Sequence, residues 1–147
     1  MKKSLDQLSI EIVSQSIWLD PPDVELKSAE YAAASVEADV QIGLGDMVLV
    51  ERPNFSIFEL LHAFEKWRTL TDHGDFVFDS FNDEHGEFIR ISAGVDAFTF
   101  AVKWPEKWTE VQISQDELFN VMNQLRQNVL TKAKADLGID LQMLFAD

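Results

Sequence analysis

Alternation of apolar and polar positions predicts several short β-strands along this chain. The clearest case is residues 36–42, where Val, Ala, Val and Ile alternate with Glu, Asp and Gln. Period-two alternation is typical of a strand with one buried and one solvated face. The turn residues Gly43-Leu44-Gly45-Asp46 follow, and a second apolar run then covers residues 47–50. We therefore expect a β-hairpin here, preceded by an early strand around residues 10–15.

Two segments carry apolar residues at helical spacing behind a start signal. Residues 56–59 and 114–117 each read Ser-x-x-Glu, the pattern of a capping box in which the serine hydroxyl accepts a hydrogen bond from the N3 amide. The stripes that follow are Ile57, Leu60, Leu61, Phe64 and Trp67 in the first helix, and Leu118, Val121, Met122, Leu125, Val129 and Leu130 in the second. We expect the first helix to end near His73 and Gly74, and Gly138 to cap the second.

Between the two helices the strand pattern returns, over residues 76–79, 88–91, 98–104 and 108–113. Short strands joined by short turns predict an antiparallel meander. The expected fold is therefore α+β, a single domain over residues 1–147. It should contain about seven strands, in one sheet or in two packed sheets, with one helix mid-chain and one C-terminal. The apolar tail at residues 139–145 should dock, and the sheet is one place for it.

Charge and composition narrow the classes of partner. The formal net charge is −14, which disfavours nucleic acid and anionic membrane surfaces because both need a basic face. There is no cysteine, and no apolar run follows Lys2 and Lys3 to form a signal peptide. No stretch approaches the length of a membrane span. We expect a cytoplasmic protein, whose acidity serves solubility or steers it toward a basic partner.

Catalytic and cofactor signatures do not emerge from the sequence. The chain lacks cysteine, a Gly-x-Ser-x-Gly elbow and a His-Glu-x-x-His zinc motif. His62, His73 and His85 fit exposed or capping positions in the predicted helix and turn. Gly43-Leu44-Gly45 is better explained by a hairpin turn than by a phosphate loop. We therefore expect no enzyme activity, no metal and no cofactor.

Carboxylates form the one dense feature of the sequence. We call the following residues the acidic rim: Asp72, Asp75, Asp79, Asp83, Glu84 and Glu87. Three readings are open, namely a solvated surface, a binding surface for a basic partner, and a metal or catalytic site. The spacing does not match a calcium loop.

Two of the four tryptophans lie near predicted strand ends, beside charged or proline-rich turns. Trp18 and Trp108 could serve there as interface anchors or as lids on the core. Trp67 and Trp104 fall on apolar faces and should be core residues. The candidate partner-binding set is therefore the acidic rim together with Trp108 and Trp18, and we expect Trp108 rather than Trp18 to be the apolar anchor.

The order of elements resembles a known group of proteins. An early Ile-x-Ile strand ends at Trp18-Leu19-Asp20, and the helix after Ser56 carries a Phe/Leu-x-x-Phe-x-x-Trp pattern. Phe-rich strands follow, and residues 111–113 lead directly into Ser114-Gln115-Asp116-Glu117. This layout is similar to the WapI-type small immunity proteins of bacterial polymorphic toxin systems, and to uncharacterised domain families of the same layout. The resemblance covers most of the chain but contains no catalytic motif.

The resemblance implies an immunity protein that binds and neutralises a cognate toxin. Toxins of this kind are often nucleases, which are usually basic, so an acidic inhibitor would match one by charge. The alternative is a small ligand-binding or assembly domain with no toxin partner. An enzyme that uses the acidic rim is the third reading.

Overall fold

The structure is a computed structural model of the 147-residue chain. It describes residues 7–69, 74–79, 87–94, 97–103 and 107–146. It confirms an α+β fold built on antiparallel sheets. Within these described residues, eight strands form two four-stranded sheets, so the two-sheet alternative is the one observed.

The first sheet is organised around one long strand. The strands are β1 (Leu8–Ile12), β2 (Trp18–Leu19), β3 (Val36–Leu44) and β4 (Met47–Phe55). β1 and β2 lie one after the other along one edge of β3, and β4 pairs with its other edge, all antiparallel. The predicted hairpin is β3–β4, and its turn places Gly45 at a positive φ of 60°. Alternation along β3 therefore separates a buried face from an outer face, as the sequence indicated.

An irregular segment, residues 13–17, separates β1 from β2 along the same edge. The Ser14 hydroxyl accepts from the Asp39 amide at 3.1 Å and donates to the Ser16 carbonyl, replacing ladder bonds that the irregularity interrupts. Ile17 is buried, and its amide donates to Asp136 Oδ2 at 3.1 Å. This local break in pairing is thus held by the side chain of Ser14 within the segment and by Asp136 of α3.

The second sheet is the predicted meander. Its strands are β5 (Phe76–Asp79), β6 (Glu87–Ala93), β7 (Phe98–Lys103) and β8 (Trp108–Ile113), each antiparallel to the next. Alternation again selects one buried face, which is rich in phenylalanine. That face carries Phe76, Phe78, Ile89, Ile91, Phe98, Phe100, Val102 and Ile113.

In the part of the chain that the structure describes, three α-helices pack with these sheets, one more than the sequence predicted. They are α1 (Ala29–Ser35), α2 (Ile57–Arg68) and α3 (Gln115–Leu137). α1 begins at Ser28, whose side chain accepts from the Tyr31 amide. It is built largely from alanine, so it has strong helix propensity but no stripe of large apolar residues. The spacing of large apolar residues therefore does not predict α1.

The two predicted capping boxes differ in the structure. Ser114 Oγ accepts from the Glu117 amide at 3.2 Å, and Gly138 ends α3 in the left-handed region at φ 66°. Both of these predictions are confirmed. Ser56 occupies the N-cap position of α2, but its side chain makes no capping bond. It is buried, with ψ near 77°, so the expected bond is wrong at this helix.

α2 also ends earlier than predicted. It stops at Arg68, and Thr69 closes the last turn through its hydroxyl, which donates to the Lys66 carbonyl at 3.0 Å. The predicted end at His73 and Gly74 is therefore wrong, and Gly74 does not take the left-handed conformation. The tail forms a 3-10 helix (Leu141–Ala146) that contacts α3 and α1, with Leu141 fully buried.

Both sheets and the helices contribute to one continuous hydrophobic cluster. Trp67 of α2 lies near its centre, with its ring 5.6 to 6.3 Å from those of Phe76, Phe98 and Phe119. Its Nε1 donates to the Gly74 carbonyl at 2.8 Å. The prediction that Trp67 is a core residue is confirmed, while Trp104 lies outside the described residues.

Candidate protein interface

The acidic rim is only partly described by the structure. Asp72, Asp83 and Glu84 lie outside the described residues. Asp75 is exposed just before β5. Asp79 and Glu87, described by backbone alone, are directly opposite each other where β5 pairs with β6. The strand register therefore brings two of the six predicted positions together at one end of this hairpin.

Trp108 is half-buried on the second sheet, at the start of β8, and it is already engaged by a cation. The guanidinium carbon of Arg90 lies 4.2 Å from the centroid of its ring, a cation–π contact between β6 and β8. Ala101 of β7 lies between these two strands, because it pairs with Arg90 of β6 and with Glu110 of β8. It is on the same face as Arg90 and is nevertheless buried. The side chains of Arg90 and Trp108 therefore cover Ala101 on the outer face of this sheet, and the Trp108 ring already contacts a cation of its own chain.

Trp18 lies in a different chemical setting, on the first sheet. It pairs across strands with Glu37 of β3, and its Nε1 donates to Glu37 Oε1 at 3.3 Å. The indole is half-buried, so its apolar ring stands beside a carboxylate at the sheet surface. An aromatic ring next to an acid is a combination that suits a guanidinium or ammonium group of a protein partner.

Further carboxylates share this face of the first sheet. Alternation places Glu37 and Asp39 of β3 on the outer face. Glu11 of β1 and Glu51 of β4 both pair with Gln41, so they join the same face from either side. We call Glu11, Glu37, Asp39 and Glu51 the outer acidic face.

Neighbouring groups fix the geometry of this face. Asp39 Oδ1 accepts from the Asn54 amide at 3.0 Å, where Asn54 adopts a positive φ of 53°. Arg52 of β4 pairs with the buried Val40 and so belongs to the opposite face. The outer acidic face thus presents four carboxylates on three adjacent strands, with Glu37 beside Trp18 and with Glu11 and Glu51 on either side of Gln41, four residues farther along β3.

Burial perturbs one of these acids. Partial burial raises the pKa of Glu37 above its ordinary value of 4.5. The hydrogen bond from Trp18 opposes this by lowering the pKa, and the charge of Asp20 raises it further. The fold therefore disfavours the charge of Glu37, which is the acid at the Trp18 end of the outer acidic face.

Other kinds of site are less well supported by the geometry. No three metal-binding side chains of the described residues lie close enough together to hold an ion. His62 stacks on Phe58, and its pKa is lowered below 6.5 by burial and by Lys66, which favours the neutral form. His73 and His85 lie outside the described residues. Within the described part of the chain, no helix is both long enough and apolar enough to span a membrane.

A groove between β1 and α3 is the one cavity that we consider for a small ligand. Its volume is about 380 Å³, and it is lined by Glu11, Ile12, Asn128, Thr131 and Lys132. The Lys132 ammonium donates to the Gln15 carbonyl at 3.0 Å, so it already holds the segment between β1 and β2.

Comparison with known proteins identifies a family without assigning an activity. The model of the family described as "Domain of unknown function (DUF7878)" matches residues 9–134. The match runs from β1 to near the end of α3 and stops before the Gly138 cap. No curated protein and no solved structure matches the chain. The resemblance to immunity proteins is therefore left untested by these comparisons.

Proposed function

The chain belongs to the DUF7878 family of domains of unknown function, and we propose that it is a non-enzymatic protein that binds and neutralises a basic bacterial toxin. The proposal has two parts with different support. Binding of a basic protein is supported by the surface of the molecule, and the toxin as partner is supported by the resemblance in sequence layout. The proposed place of action is the cytoplasm.

The outer acidic face is the single observation that carries the binding part. Its four carboxylates lie on adjacent strands of one rigid sheet, so their spacing is set by strand pairing. A net charge of −14 adds a long-range field of the same sign. Together these features would attract a basic partner and raise its association rate by about tenfold or more at low salt.

Trp18 would supply the apolar contact that charges alone lack. Exposed carboxylates are screened by salt and contribute mainly to encounter and orientation. A half-buried tryptophan at the edge of the charged area can pack against a partner side chain and slow dissociation. In this proposal the acids orient the partner during association, and Trp18 slows its dissociation.

A matched pair of variants tests the proposal and locates the surface. The probe for this test is a basic toxin domain whose gene lies directly upstream of the gene for this chain, and the absence of such a gene would count against the toxin part of the proposal. The first variant neutralises the outer acidic face by Glu37→Gln, Asp39→Asn and Glu51→Gln. The second makes the same charge change on the acidic rim by Asp75→Asn, Asp79→Asn and Glu87→Gln.

We expect the first variant to slow association about tenfold and to weaken its salt dependence, with little effect on dissociation. The second variant should bind nearly as well as the unmodified chain. If only the rim variant loses binding, the rim is the interface and the outer acidic face serves solubility. If the unmodified chain neither binds the domain nor protects cells that produce it, the toxin part of the proposal fails.

The groove between β1 and α3 favours a second candidate, a domain that binds a small polar ligand. Its volume is within the usual range for such sites, and it combines carboxylate, amide, hydroxyl and ammonium groups. A Thr131→Trp substitution would fill it. Saturable binding of a small polar ligand that Thr131→Trp abolishes, with toxin binding unchanged, would favour this second function.

A further inference from the structure

β4 presents an open strand edge. Among the described residues it pairs only with β3, so alternate backbone N–H and C=O groups point away from the sheet. Such groups can accept an added strand, and proteins usually protect them with charges, prolines or short strands. Glu51 and Pro53 protect the second half of β4, and in the first half a single register shift lies between Val48 and Val50.

The first half of β4 is exposed and apolar. Met47 is 60% exposed and Val48 is 46% exposed, and the two residues are adjacent on the strand. The other edge strands differ. β8 exposes Glu110 and Gln112 at its surface, and β5 has only four residues. Among the edge strands β4, β5 and β8, the longest apolar run is therefore residues 47–50 of β4, and Glu51 ends it.

We propose that residues 47–51 of β4 accept an added strand from a basic protein partner. This inference rests on the proposed function in requiring that the partner be basic. A strand laid along β4 would place alternate side chains on the same face as Glu51, beside the outer acidic face. Lysine or arginine at those positions fits this face, and apolar residues at the intervening positions would contact Met47 on the opposite face.

Charge disfavours a second copy of the chain as the occupant. Each copy carries a net charge of −14, and pairing of two β4 strands would bring Asp46 and Glu51 of both copies close together. Like charges placed opposite one another destabilise strand pairing. A basic segment removes this repulsion and gains the same backbone hydrogen bonds.

A synthetic peptide tests the edge without any toxin. The probe alternates lysine and valine over about eight residues, the length of an ordinary strand. Amide hydrogen exchange of the full chain is followed residue by residue by NMR with and without the peptide. We expect exchange at residues 47–51 to slow by about tenfold at saturating peptide, because new interstrand bonds protect the amides. A peptide that alternates glutamate and valine should give no protection.

Two lysine substitutions at equally exposed valines provide the control. Val48→Lys places a cation on the edge and should weaken binding of the lysine–valine peptide about tenfold. Val77→Lys makes the same change on β5, where Val77 is 48% exposed, and should leave binding unchanged. Met47→Lys repeats the first test at a more exposed position, should Val48→Lys alter the fold.

Three results would overturn the inference. One is equal protection by both peptides, and another is equal loss of binding in the Val48→Lys and Val77→Lys variants. The third is concentration-dependent self-association that Val48→Lys abolishes, which would assign the edge to a second copy. Protection by the lysine–valine peptide without neutralisation of the toxin would instead support the edge and overturn the toxin proposal.

Discussion

Replacement of Trp67 by phenylalanine should destabilise the fold more than the same change at any tryptophan on the surface. Trp67 is buried at the junction of α2, the second sheet and α3, where it meets three other aromatic rings edge-on. Phenylalanine keeps an aromatic ring but removes the indole N–H and part of the ring volume. Trp67→Phe therefore measures the combined effect of ring size and of the indole hydrogen bond on stability, while an aromatic ring is retained.

The magnitude follows from two lost contributions. The bond from Nε1 to the Gly74 carbonyl is worth about 1 kcal/mol, and the carbonyl can regain water because Gly74 is exposed. The smaller ring leaves a cavity and weakens the edge-on contacts, at roughly another 1–2 kcal/mol. We expect about 2–3 kcal/mol for Trp67→Phe and about 3–5 kcal/mol for Trp67→Ala.

Urea unfolding followed by far-ultraviolet circular dichroism measures this difference without relying on the fluorescence of four tryptophans. The control is Trp18→Phe, which loses a longer bond of 3.3 Å at a half-buried site and should cost about 1 kcal/mol or less. In thermal melts, each kcal/mol corresponds to roughly 2–4 °C for a chain of this size. Equal losses at the two positions would refute the assignment of Trp67 as the junction of the core.

The remaining predictions concern local stability, pH and metals. Ser114→Ala should lower the free energy of unfolding by about 1 kcal/mol in urea titrations, because it removes the bond to the Glu117 amide. Glu37→Gln should raise the melting temperature at neutral pH. The raised pKa of Glu37 favours its neutral form in the fold, so its stabilising effect is present below 4.5 and is lost as pH rises through the folded-state pKa. The gain from glutamine should accordingly vanish below pH 4.5, and a gain that persists there would contradict the pKa argument. Calorimetry with calcium, magnesium and zinc should show no tight stoichiometric binding, whereas a micromolar calcium signal abolished by Asp83→Asn would assign ligands to the acidic rim.

Local patterns predicted most of the elements, because each depends on residues close together in the chain. The alternation of apolar and polar residues predicted β3 and the meander. Ser114 and Gly138 predicted the two ends of α3. The same signals failed where the geometry was set from elsewhere. Ser56 has the right sequence for a capping box, yet it is buried at the junction of β4 and α2 with a different backbone conformation.

Helix α1 shows a different limit of periodicity. Its contacts are made by small residues, with Ala32 and Ala33 buried, so no large apolar stripe marks it. Ser28 followed by an alanine-rich run was a usable signal, because alanine is the strongest helix former and serine a preferred N-cap. Propensity and capping would have found this element where the hydrophobic pattern could not.

The candidate surface was harder to predict than the fold. The acidic rim is defined by the density of acidic residues along the chain, and that density depends only on how close the residues are in sequence. The outer acidic face joins Glu11 to Glu51 through their common partner Gln41, and these acids are 40 positions apart. Only the pairing register of three strands reveals it. The alternation of apolar and polar residues predicts which side chains of β3 face solvent, but it does not predict which strands lie beside β3.

Glu37 gives a further reason to regard the outer acidic face as a binding surface. Glutamine at this position would keep an oxygen acceptor for the Trp18 indole and avoid the cost of partly burying a charge. Within the isolated protein nothing described offsets that cost beyond the Trp18 bond, and Asp20 increases it. A cation supplied by a partner would offset it, since a charge that is disfavoured in the free protein gains most from a desolvated basic group. The proposed binding of a basic partner would therefore account for an acid that the fold alone disfavours at this position.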